Sequence, residues 1–251
     1  MITKTAISQI RLLHHKKHRD AQEVFIVEGV KSCLETLQSD YEIVQCYVTE
    51  DYTANRIPQS AKRISQIEMS RISCLSTPPE ILCIVKKQHF QIDDIDATNP
   101  LLVLDSIRDP GNLGTIIRTA DWFGFNQILC SEDCVEFTNP KVIQATMGSF
   151  TRVKVIYNNL PNYLKTETHR NILGLYMNGK SIQNQSFNNN DMVIIGSESH
   201  GISEAVAPYI HTKITIPVCS HEPTRPDSLN AAIAAGIFMY TFKNGELKIE
   251  N

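Results

Sequence analysis

The sequence predicts an α/β protein: a mostly parallel sheet in the C-terminal part, preceded by a smaller α/β unit. Three observations carry this reading. Apolar runs such as LLVL at 101–104 and MVII at 192–195, bounded by turn residues, suit strands buried on both faces of a parallel sheet. From residue 101 onward such runs alternate with helical patterns. Finally, three stretches place Gly, Asn, Ser or an acid where an apolar strand ends: DSIRDPGNLGTIIRTA at 105–120, IIGSESHGIS at 194–203, and the segment 214–237, which holds IPV and then SLNAAIAAGI. In α/β sheets ligands bind at such strand ends.

Taken in order, the chain opens on a basic segment in which Lys4, Arg11, Lys16, Lys17 and Arg19 face only Asp20 among acids. On charge alone, a solvated helix and an RNA-contacting surface are equal readings. In VFIVEGVKSCLETLQ a strand at Phe25, Ile26 and Val27 runs into a helix with Val30, Cys33, Leu34 and Leu37 on one face; EIVQCYVTED and ILCIVKK read as further strands. The polar run QIDDIDATNP, ending at Asn99-Pro100, lacks periodicity and reads as a linker between a domain at 1–95 and a domain at 96–251. Beyond it the expected order is LLVLD, a helix from Gly114 to Phe123, QILC, a helix near Lys141 to Met147, VKVI, NILGLYM, MVIIG, KITIPV and a last helix from Ser228 to Phe242.

The 251 residues, 42% hydrophobic and 20% charged, suffice for a complete core in one large or two small domains. No apolar run reaches the roughly 18 residues of a membrane span, and MITKTAISQIRLLHHKKHRD has no signal-peptide core, so a cytoplasmic protein is expected. The seven cysteines are an odd count without a CxxC pair, which suggests reduced thiols and neither a disulfide framework nor a metal site. A net charge of −3 argues against indiscriminate nucleic-acid binding, which needs a basic surface.

The chemistry sits in the three stretches. Asp109-Pro110-Gly111-Asn112 is a turn signal, from which Asn112 can present an amide while Arg118 can grip a phosphate or simply face solvent. Gly196 and Gly201 flank Glu198 and allow close backbone approach; the bland reading is an exposed loop acid, with His200 solvated. Asp227 or Ser228 is a good N-cap, and Ala231, Ala232, Ala234, Ala235 and Gly236 leave a helix with so little bulk that close packing is expected. Asn230, polar in the first turn of that helix, needs a partner. GxGxxG, a P-loop and GxSxG are all missing, which excludes the usual dinucleotide, nucleotide and hydrolase signatures.

Jointly and in this order, NxGxxxR from Asn112 to Arg118, GxExxG from Gly196 to Gly201, and IP followed by SLN from Ile216 to Asn230 resemble the three signatures of the SpoU class of SPOUT RNA methyltransferases. The segment KKHRDAQEVFIVEGVKSCLETL is similar, more loosely, to the ribosomal-protein-like substrate-binding domain of members that act on ribosomal RNA. The resemblance implies a C-terminal trefoil knot, S-adenosyl-L-methionine as cofactor, a homodimer, and methyl transfer to a ribose 2′-hydroxyl, in 23S ribosomal RNA on this match. It implies that Gly196, Ile216 and Leu229 hold the cofactor and that Asn112, Arg118, Glu198, Ser228 and Asn230 surround the reacting ribose, with Arg118 central to catalysis. A transfer-RNA substrate and an inactive RNA-binding homologue remain alternatives. Two departures stand out: Asp227 replaces the usual glutamate, and the loop VCSHEPTRPD is longer than usual and lacks the common glycine.

Overall fold

The computed structural model describes residues 2–53, 57–220, 222 and 227–247. In chain order the elements begin with α1 (Lys4–Leu12), α2 (Lys16–Gln22), β1 (Val24–Glu28), α3 (Val30–Leu37), β2 (Ile43–Thr49), β3 (Lys62–Ile64), α4 (Gln66–Ile72) and β4 (Ile81–Lys86). They continue with β5 (Leu101–Asp105), α5 (Pro110–Trp122), β6 (Gln127–Ser131), α6 (Pro140–Thr146), β7 (Lys154–Asn158), α7 (Leu160–Thr166), β8 (Ile172–Ser181), β9 (Met192–Gly196), β10 (Thr212–Thr215) and α8 (Ala231–Leu247). Contacts divide them into two units, residues 1–89 with 136–151, and residues 90–135 with 152–251.

The first unit is a four-stranded sheet in the order β1-β4-β2-β3, with β4 antiparallel to both β1 and β2. Its strands carry the predicted apolar residues inward, and Ile26, Tyr47, Leu82 and Ile84 pack with Ile10, Met69 and Ile72 of the helices and with Leu13 just after α1. The helix α4 starts on a capping box, in which the Ser65 hydroxyl accepts from the Glu68 amide and the Glu68 carboxylate accepts from the Ser65 amide. This unit is discontinuous in sequence. Segment 136–151 supplies Phe137 and Phe150, whose rings join Phe25 and Tyr41 in an edge-on cluster, with Phe150 5.8 Å from Phe25 and 5.4 Å from Tyr41. It also supplies Glu136, which accepts from Arg19 Nη2 at 2.6 Å. Arg19, 2% exposed, additionally donates from Nη1 to the carbonyls of Leu13 and His14 at 2.9 Å, so the buried guanidinium is held on two sides.

The second unit is a six-stranded sheet in the order β10-β8-β9-β5-β6-β7, parallel throughout. β5, β6 and β9 are apolar and buried nearly end to end, as expected for strands covered on both faces. From β5 the chain steps outward through β6 and β7, and then returns to the opposite side as β8, β9 and β10. The order therefore reverses between β5 and β9, and there the last residues, Asp105 and Gly196, are register partners. A crevice beyond the carboxyl ends of two such strands is where open α/β sheets take ligands.

Several elements differ from the sequence reading. α5 begins four residues early because Asp109 caps it, accepting from the Asn112 amide at 2.8 Å, with Pro110 in the first turn. α8 begins at Ala231, and its cap is neither Asp227 nor Ser228: the Asn230 side-chain oxygen accepts from Ala232 N at 3.0 Å and Ile233 N at 3.2 Å. The small-residue helix packs against α5, yet a methyl added at Gly236 would make only ordinary contact with Thr119. α4, α7 and β3 have no counterpart in the sequence reading.

Candidate active site

The three polar stretches converge in the second unit. Their positions follow from short local devices. At the end of β5, buried Asp105 accepts from the Ser203 amide at 2.7 Å, fastening the segment after the GSESHG turn. That turn is closed by reciprocal backbone bonds between Ser197 and Gly201, at 3.1 and 2.8 Å. Gly196 is required here by space: a Cβ would lie 2.0 Å from the Gly201 carbonyl carbon. The turn projects Glu198 toward the start of α8.

Glu198 is the hub. Its Oε1 accepts from the Asn112 side-chain amide, from Ala231 N at 3.2 Å and from Asn230 Nδ2 at 3.4 Å, and Asn230 Nδ2 also donates to Asn112 Oδ1 at 2.8 Å. A carboxylate at a helix N-terminus is stabilised by the exposed amides and the helix dipole. Three residues from three separate stretches are thereby tied in one network, and Asn230, expected to need a partner, has two.

Beside this cluster lies a cavity of about 770 Å³, lined by Gly196, Ile216 and Leu229 together with Glu198 and Ser228. The volume falls within the roughly 300–1,000 Å³ of small-molecule sites. Met177 (56% exposed), Val218 (48%) and Leu229 (45%) also line it, so large apolar side chains are held half-open around one hollow. Isolated exposed apolar residues need no explanation, whereas a group around a cavity marks a place for a ligand. Asn178, Ser197 and Ser228 add polar groups to a wall that is otherwise mainly apolar. The Glu198 carboxylate lies in this mainly apolar wall, and a partly apolar small molecule fits such a lining.

Arg118 stands apart. It is exposed on α5 and makes no hydrogen bond or ion pair with the described residues. It lies six residues beyond Asn112, about 9 Å along the helix axis. The structure thus joins Asn112, Glu198 and Asn230, sets Ser228 in the cavity wall, and leaves the Arg118 guanidinium available. Among the described residues, no group of His, Cys, Asp or Glu is arranged to hold a metal ion. Of the atypical loop from Val218 to Asp227, residues 221 and 223–226 lie outside the described residues.

Sequence reasoning missed the wall contributed by β8, Leu175 to Asn178. A signal was present in Gly174, interrupting an apolar strand: a Cβ there would come within 2.6 Å of Ile210 and 2.7 Å of the Tyr176 ring.

The SpoU rRNA Methylase family matches residues 99–240, and an MRM3-like substrate binding domain matches residues 4–83. The chain is 29% identical over 237 residues to the 23S rRNA (guanosine(2553)-2′-O)-methyltransferase RlmP of Bacillus subtilis, spanning 91% of this chain and 92% of that one. A TrmH-family structure from Porphyromonas gingivalis has a TM-score of 0.85 at 28% identity, covering 97% of this chain and 99% of the other. The AdoMet-bound rRNA methyltransferase of Sinorhizobium meliloti also reaches 0.85, at 25% identity, over 97% and 96% of the two chains.

Proposed function

Since the chain belongs to the SpoU rRNA methylase family, we propose that it transfers a methyl group from S-adenosyl-L-methionine to a ribose 2′-hydroxyl of ribosomal RNA. The observation that carries this reading is Glu198, which lines the apolar cavity and at the same time anchors the Asn112–Asn230 cluster beside it. Cofactor pocket and polar site therefore share a residue. The cofactor, when bound, supplies an activated methyl group with its own leaving group.

The chain's part is to bind, orient and move a proton. Gly196, Ile216 and Leu229 hold the cofactor by backbone groups and apolar contact, which excludes water from the transfer. Asn112, Glu198, Ser228 and Asn230 set the ribose. A guanidinium keeps its proton under ordinary conditions, so Arg118 clamps an RNA phosphate and stabilises charge developing on the hydroxyl oxygen. Glu198 Oε1 is already occupied by its donors, which leaves Oε2 or a water to receive the proton.

Further parts of the proposal concern the assembly. Residues 1–95 bind the RNA substrate and residues 96–251 form the catalytic domain. In the first twenty residues Arg19 is buried on Glu136 and Lys16 pairs with Asp20 at 2.7 Å, so Lys4, Arg11 and Lys17 are the exposed cations left for RNA. A trefoil knot closes the C-terminal region. The protein is a homodimer through α5 and α8, where Trp122 is 83% exposed and Ile233 and Tyr240 are more than half exposed. It works in the cytoplasm, a reading supported by its similarity to a 23S rRNA methyltransferase of Bacillus subtilis. Among the described residues, no helix is long and apolar enough to cross a membrane.

The test is incubation of purified protein with methyl-labelled cofactor and either protein-free ribosomal RNA or transfer RNA. Label in the ribosomal RNA, retained as a 2′-O-methyl nucleoside after digestion, is expected. Label in transfer RNA alone would replace the substrate, and binding without label would identify an inactive RNA-binding homologue.

A further inference from the structure

The first stretch is held from outside by a device that the mechanism above does not use. Directly after β5, Ser106 has φ of +61°, a left-handed conformation that is costly for a residue other than glycine and persists only where the surroundings impose it. The surroundings are the segment after β6. The Ser106 amide donates to Ser131 Oγ at 2.8 Å, and the Ser106 hydroxyl donates to Asp133 Oδ2 at 2.8 Å. The Ser131 hydroxyl donates to the other oxygen, Asp133 Oδ1, at 2.6 Å, and Arg108 Nη2 donates to Oδ2 at 2.8 Å. One carboxylate thus gathers both serines and the arginine of the turn. Two more bonds flank it: Ile107 N donates to Cys134 Sγ at 3.2 Å, and Val135 N donates to the Ile107 carbonyl at 2.8 Å.

The consequence runs along the chain. Asp105 fastens Ser203 on one side of the turn, and Asp109 caps α5 on the other, so the turn 105–108 fixes the position of the helix that carries Asn112 and Arg118. We propose that Asp133 is a positioning residue for methyl transfer, holding the 105–108 turn in its strained form and thereby placing Asn112 and Arg118 against the reacting ribose. The proposal rests on the methyltransferase reading. The three hydrogen bonds agree with the ionisation of this group: burial acts to raise its pKa, but the donors Ser131, Arg108 and Ser106 and the arginine charge outweigh it and bring the carboxyl to about 2. The clamp is therefore charged throughout the neutral range.

The experiment compares full-length Asp133→Ala and Asp133→Asn with wild type for kcat, cofactor affinity by calorimetry, Tm, and amide hydrogen exchange at residues 105–112. Asp133→Ala is expected to lower kcat about 10- to 100-fold, the effect of a small misplacement near the chemistry, and to speed exchange at 105–112. Asp133→Asn, which keeps one oxygen for a serine donor, falls between it and wild type. Cofactor affinity is expected to change much less than kcat, since the direct partners of Asp133, namely Ser106, Arg108 and Ser131, are not in the cavity wall. Wild-type kcat in Asp133→Ala, unchanged exchange, or a joint loss of cofactor affinity and Tm in both variants would each overturn the positioning role. A wild-type protein that transfers no methyl group to RNA at all sinks the parent reading, and the positioning role with it, whatever stands at 133.

Discussion

Arg118 and Glu198 have opposite surroundings, and this separates their roles. Arg118 has no hydrogen bond or ion pair among the described residues, so Arg118→Ala breaks none of those. Methyl transfer is expected to fall by about 100-fold or more, as when a stabiliser of transition-state charge is lost, with cofactor affinity nearly intact by calorimetry; near-normal turnover would remove Arg118 from the mechanism. Asn230 is both cap and cluster member. Asn230→Ala is expected to cost about 0.5–2 kcal/mol in urea unfolding through the lost cap, and to lower kcat as well because Glu198 and Asn112 lose a shared donor. At this scale the sequence was informative about which residues meet, since the ordered motifs singled out Asn112, Glu198 and Asn230. It was misleading about the cap. Asp227, Ser228 and Asn230 are all capping residue types, and only the backbone decides which one ends the loop.

The same contrast holds at the level of elements. Buried strands such as LLVL and MVII were legible because their neighbours on both faces are apolar, whereas α4 and α7 carry no apolar run of that kind. Close backbone packing was legible only as glycine. Gly196 illustrates the demand: in Gly196→Ala the new methyl would meet the Gly201 carbonyl, and the turn bearing Glu198 must shift. Loss of cofactor binding in calorimetry and a lower Tm are expected, and wild-type affinity in this variant would place the cofactor elsewhere. In the first unit the Arg19–Glu136 pair makes a pH prediction. Burial raises the Glu136 pKa, but hydrogen bonds from Arg19 and Thr138 and the charges of Arg19 and Lys87 outweigh it, so the folded value lies below the ordinary one. Its stabilisation is present above the unfolded pKa of about 4.3 and is lost as pH falls through the folded value. Glu136→Gln should therefore flatten the stability loss of that unit below about pH 4.3, measured by urea unfolding across pH; an unchanged slope would assign the acid sensitivity to other carboxylates.

For the whole molecule, a linear reading suggests a division at one linker, while the first unit also takes in residues 136–151. The reason is physical and invisible to periodicity: Phe137 and Phe150 find their partners in Phe25 and Tyr41, far away in sequence. A chain cut after residue 95 would leave both rings stripped of that cluster, so RNA binding by the first unit is better probed by reversing Lys4, Arg11 and Lys17 in the intact protein. Weaker RNA binding with unchanged cofactor affinity is expected from that triple reversal. The proposed dimer makes a separate demand, that Trp122→Glu on α5 shifts the protein to monomer in light scattering; a wild-type protein that is already monomeric would refute it. The central claim remains the methyl transfer itself, and the most direct measurement is the map of ribose-methylated positions in ribosomal RNA from cells with the protein, without it, and with only Arg118→Ala. A 2′-O-methyl group present in the first and missing from the other two is the predicted result, and identical maps in all three would contradict the account.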